Sequence, residues 1–166
     1  MLATSHFIAT TGILLLAKKI GLNVSLEIVI LTYLLGNGID IDHIIVYPKE
    51  SLIAAKNFLK GRKEEYGKVR LHSYLQEPWF AITVLLVSLT IFVFLKRSAV
   101  FLPGFALSIH ILIDALTKFD NYLFWPFSKK PFNGFIPSNS KLEYILSVIL
   151  AILIFYVALK DKIFVL

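Results

Sequence analysis

Residues 78–95, PWFAITVLLVSLTIFVFL, contain no charged side chain. At about 1.5 Å of rise per residue, a helix of this length approaches the roughly 30 Å of hydrocarbon in a bilayer, so the segment reads as a membrane span. The rest of the chain has to fold around such a span. Of 166 residues, 57% are hydrophobic, and the mean hydropathy is +0.76. That is too apolar for a soluble domain of this size, and it suits a single domain, residues 1–166, built as one small bundle of membrane helices. There is no cysteine, which excludes disulfides, iron–sulfur clusters and thiolate zinc sites.

Four further apolar segments flank that span. Residues 2–17 end at Lys18-Lys19 and a Gly-Leu-Asn turn; with no basic stretch ahead and no small-residue cleavage site, they read as a retained helix and not a signal peptide. Residues 24–47 follow, interrupted by Gly36-Asn37-Gly38, where a helix could break. The third segment is 78–95, and residues 99–117 and 142–159 form the fourth and fifth. The predicted fold is therefore all-α: an integral, multi-pass membrane bundle of about five main helices. Residues 48–77 are the most polar tract and read as a basic, solvated loop drawn to anionic lipid. The 118–141 connection is rich in aromatic residues and turn formers, and belongs at the membrane–water boundary.

Within the fourth segment, ALSIHILIDALT, His110 and Asp114 stand i,i+4. Their side chains are then within about 40° of each other on one helix face and can reach one ligand together. An Asp in the middle of a membrane helix costs about 2.5–3.5 kcal/mol on insertion scales, so it needs a partner or a task. With five alternating spans, the N-terminus, the 48–77 loop and the 118–141 connection share one side of the membrane. His6, Asp40, Asp42, His43, His72, His110 and Asp114 then all fall towards that side. Each has a plainer role when taken singly. His6 can serve as a cap, His72 as a surface histidine, Asp40 as a partner for backbone freed by the glycines, and Asp42 as a partner for a lysine. Taken together they form a set of nitrogen and oxygen donors that suits Zn²⁺ or Mn²⁺. Three protein ligands with one open position would activate water for attack on an electrophile, and a second carboxylate could orient or deprotonate that water.

Most of the 17 basic residues also fall on that side, leaving Lys18, Lys19, Lys96, Arg97, Lys160 and Lys162 for the other. The positive-inside rule places the cluster on the cytoplasmic face of the cell membrane. The positive loop beside it favours an anionic substrate carried on the membrane, such as a phospholipid or polyprenyl phosphate headgroup. The expected partners are the lipid bilayer and that phosphorylated substrate, with no nucleic acid.

The ordered set of His6, Asp40-x-Asp42-His43, His72-Ser73, and His110-x-x-x-Asp114 followed by Trp125-Pro126 resembles the YdjM-type membrane-bound metal-dependent hydrolases. The resemblance covers most of the chain and departs from the usual pattern at Ile39 and at Gly67-Lys68. That family in turn resembles, distantly, the zinc-dependent phospholipase C and nuclease superfamily. The resemblance implies a phosphoesterase holding one or two ions. His72, His110 and Asp114 would surround one ion, and His6 a second that shares Asp114. Asp42 and His43 would be further metal ligands, and Asp40 or Asp42 the base acting on water. No histidine follows His110, so a three-metal site is not expected. Two other classes use the same residues: a small His/Asp ion or proton transporter, and a non-catalytic membrane protein with a structural metal site.

Overall fold

The computed structural model describes residues 3–39, 77–118, 120–122, 127–137 and 140–160, together with residues 45, 48–49, 52–53, 56 and 75. Among them are five helices, α1 (Ala3–Lys19), α2 (Leu26–Gly38), α3 (Pro78–Leu95), α4 (Ser98–Ala115) and α5 (Lys141–Lys160). A two-stranded antiparallel pair, β1 (Asp120–Asn121) and β2 (Phe132–Asn133), joins α4 to α5. The all-α membrane bundle expected from the apolar segments is the observed architecture. By length and hydropathy, α3, α4 and α5 can each cross a membrane, whereas α2 is a shorter apolar helix of 13 residues.

The helix boundaries have local causes. α1 closes at Gly21, whose φ of +80° suits glycine, and Leu22 N–H returns to the Ala17 carbonyl at 2.9 Å. This is a glycine-terminated helix end in which the following N–H caps a freed carbonyl. Pro78 opens α3 at a position where its missing N–H costs nothing. Lys96 stops the same helix in the left-handed region, φ 54°, with its N–H on the Phe92 carbonyl at 2.8 Å. The Gly36-Asn37-Gly38 run does not break α2, which continues through all three residues to an α-conformed cap at Ile39.

α4 forms the centre of the bundle. Of the described spans it is 61% buried, against 17% for α3 and for α5. It packs on α1, α2 and α3, while α5 packs on α1. Lipid is as apolar as leucine, so close approach of backbones and interhelical hydrogen bonds hold such helices together. The contacts follow that rule. A Cβ on Gly36 would come within 2.7 Å of Thr10 Oγ1 and 3.0 Å of Ala106 Cβ, and one on Gly104 within 2.7 Å of Ser88 Cβ. Thr11 Oγ1 and Tyr33 Oη meet at 2.8 Å across the α1–α2 seam.

Helices consecutive in the sequence run antiparallel, so their ends alternate between the two faces, while α2 with α4 and α1 with α5 pack as parallel neighbours. At one end Ser98 Oγ donates to the Asn23 carbonyl at 3.0 Å, joining the start of α4 to the turn before α2. At the other end, α1, α3 and α5 begin where α2 and α4 finish. Glu77, at the cap of α3, accepts the Tyr122 N–H on Oε2 at 2.6 Å, tying the connection after α4 to this end.

Candidate metal centre

His6 lies in the second turn of α1, and His110 and Asp114 in the last two turns of α4. The i,i+4 spacing does what the sequence implies: His110 Nε2 is 3.4 Å from Asp114 Oδ2. From the neighbouring helix, His6 Nε2 reaches Asp114 Oδ1 at 3.1 Å. All three residues are buried. One ligand atom from each lies within 4.8 Å of the other two.

The orientation of His110 is fixed from α2. Its Nδ1 donates to the Gly36 carbonyl at 2.8 Å, one of the last four carbonyls of that helix and so available to a side chain. A carbonyl only accepts, so Nδ1 carries a proton. Nε2 faces a carboxylate oxygen at 3.4 Å, a contact that positive charge between the two, from a proton or a metal ion, makes favourable.

A small divalent ion fits these donors. Two imidazole nitrogens and a carboxylate are the donors that zinc and similar ions take, and here one such atom from each residue lies within 4.8 Å of the other two. Holding the far ring nitrogen of a ligand histidine on a backbone carbonyl is also the usual way that metal sites orient their histidines. The ends of α2 and α4 contribute partial negative charge at this position, favouring a cation there.

Of the residues singled out in the sequence, the structure brings His6, His110 and Asp114 together. Asp40, Asp42, His43 and His72 lie outside the described residues, as does the Trp125-Pro126 pair. Gly36 enters the site without any signal in the sequence, because what it supplies is a backbone carbonyl. Glu77 and Glu143 are buried carboxylates at the same end of the bundle; the sequence offers them only as charges near helix starts. Glu143 Oε1 lies 3.4 Å from the hydroxyl of Ser5, the residue before His6.

The family model described as "YdjM inner membrane protein" matches residues 1–166. The chain belongs to this family. Among YdjM proteins the description gives a location and no reaction, so the family supports a membrane protein and leaves the chemistry to the site. No curated protein and no solved structure matches the chain.

Proposed function

We propose that this YdjM-family protein is a metal-dependent hydrolase. In this reading His6, His110 and Asp114 hold a divalent cation, zinc or manganese, and the substrate is a phosphate ester on a lipid-linked or other membrane-associated molecule. The observation that supports it most directly is the direction of His110: Nδ1 is committed to Gly36 and Nε2 is turned, with that of His6, to a single carboxylate. Bound there, the ion would supply a Lewis acid for a phosphoryl oxygen and water that loses a proton near neutral pH.

The residues of the chain do the rest. Asp114 offers one oxygen to each histidine, so a single carboxylate serves both rings. Three protein ligands leave a position open, as in hydrolytic zinc sites and unlike closed structural ones. His72, Asp42 and His43 are the further ligands expected for one or two ions, and Asp40 or Asp42 is the base. Lys118, Lys129, Lys130 and Lys141 are exposed in the connection at the same end, where they attract an anionic headgroup. By the positive-inside rule, the basic residues of 48–77 and these lysines favour the cytoplasmic face for the site.

The test is elemental analysis of the purified protein, with phosphate release from lipid phosphoesters measured with and without chelator. Stoichiometric zinc or manganese with chelator-sensitive release is the expected result. Metal without turnover over a range of lipid phosphoesters would favour a structural clip, and absence of bound metal would overturn the reading.

A further inference from the structure

We propose that Glu143 is a positioning residue for the metal centre: through Ser5 and Ser147 it fixes the rotation of α1, and with it the place of the His6 ring. This rests on the reading of His6, His110 and Asp114 as a metal centre.

Part of the role of Glu143 is local. Its backbone N–H donates to Ser140 Oγ at 3.2 Å, half of the capping box that the sequence Ser-Lys-Leu-Glu spells at the start of α5. A cap alone does not require burial, yet Glu143 is fully buried. Its carboxylate is turned to another helix, with Oε1 at 3.4 Å from Ser5 Oγ. One turn along α5, Ser147 Oγ meets the same serine hydroxyl at 2.7 Å and also lies 2.9 Å from the Glu143 carbonyl. Ser5 is thus held from two consecutive turns of α5.

α1 carries two contact faces that share one rotation. Ser5 and Gly12, seven residues apart, face α5, and a Cβ on Gly12 would come within 2.8 Å of Ile154 Cδ1. His6 and Thr10, four residues apart, are buried towards α4 and α2, where His6 meets Asp114 and Thr10 accepts from Asn37 Nδ2 at 3.3 Å. Successive residues are about 100° apart around a helix, so clamping Ser5 sets the direction of His6. A rotation of about 10° moves a group about 6 Å from the helix axis by about 1 Å. A working site tolerates roughly 0.5 Å.

Three variants separate this role from the cap. Ser5→Ala cuts the link to α1 and leaves the Ser140 cap of α5 intact. Glu143→Ala removes the carboxylate, and Glu143→Gln keeps an acceptor oxygen for Ser5. Each protein, in lipid nanodiscs, is titrated with Co²⁺, whose visible d–d bands report the ligand geometry directly. Ser5→Ala and Glu143→Ala are expected to shift the bands and weaken Co²⁺ binding by about 10-fold or more, with Glu143→Gln returning towards wild type. If Glu143→Ala does not fold, Ser5→Ala carries the test. Wild-type bands and affinity in the folded Ser5→Ala variant overturn the positioning role and leave the metal centre standing. Wild-type protein that takes up no Co²⁺ overturns both.

Discussion

The imidazole of His6 lies flat against that of His110, with ring centroids 3.7 Å apart and planes 18° apart. Two protonated rings at that distance would repel each other, whereas one cation shared by both Nε2 atoms and the Asp114 carboxylate would spread its charge over the three groups. His110→Ala removes a ligand, the stack and the bond to Gly36 together, and should lose most of the bound metal. His6→Ala should act in the same direction, and the double variant should be little worse than His110→Ala alone, because the three groups act as a unit. Metal content by elemental analysis checks this; an unchanged value for His110→Ala contradicts it.

Gly36→Ala should lower stability by about 1–3 kcal/mol, the usual cost of overpacking. The added methyl would stand 2.7 Å from Thr10 Oγ1 and 3.0 Å from Ala106 Cβ, forcing α2 away from α1 and α4. Because the Gly36 carbonyl orients His110, metal affinity should fall as well. Thermal unfolding in detergent and a metal titration measure the two effects separately.

Gly134→Ala should disturb the connection between α4 and α5 and spare the helices. A Cβ there would run into the carbonyl carbon and oxygen of Leu116, and backbone atoms cannot swing aside as a side chain can. The segment now pairs with α4 through Gly134 N–H to the Thr117 carbonyl and through Phe135 and Ile136 N–H to that of Leu116. Faster proteolytic cleavage within residues 127–137, at unchanged helical circular dichroism, is the expected outcome.

Asp40→Asn and Asp42→Asn distinguish a base from a ligand. A variant at the base should keep its metal and lose phosphate release by about 100-fold or more, the usual contribution of general-base catalysis. A variant at a ligand should lose both. Equal turnover in wild type and both variants would remove the base from this pair.

The helices were largely legible in the sequence. Uncharged 78–95 and apolar 142–159 both appear within a residue or two of their predicted ends. The His110/Asp114 pair was legible for the same reason: spacing on one helix is fixed by helix geometry. What lay beyond reach was contact between helices. His6 could be placed at the same membrane face by counting spans, but nothing in its own segment says that it stacks on His110. Glu143 looks like an ordinary first-turn glutamate because the partner that buries it, Ser5, belongs to the other end of the sequence. Gly36 looks like a helix breaker, whereas its missing side chain is what lets α1 and α4 close on α2.

The antiparallel arrangement fixes a topology that can be measured. Reporter fusions after Lys49 and after Lys130 should both report the cytoplasmic side, and a fusion after Lys162 the opposite one. The absence of native cysteine leaves a clean background for single-cysteine labelling at the same positions. A cytoplasmic signal after Lys162 would reverse the orientation given to the site.

The seam between α1 and α5 also sets an order of assembly. During synthesis α5 leaves the ribosome after the other four helices, so until it arrives the Ser5 hydroxyl and the gap beside Gly12 face lipid or the insertion machinery. The entering helix brings a carboxylate that hydrocarbon tolerates poorly without a partner, and that partner is already in the membrane. Closure of the α1–α5 seam therefore follows insertion of the first four helices, and a chain stalled before Lys141 would hold His6 on a helix clamped from the α2 and α4 side alone.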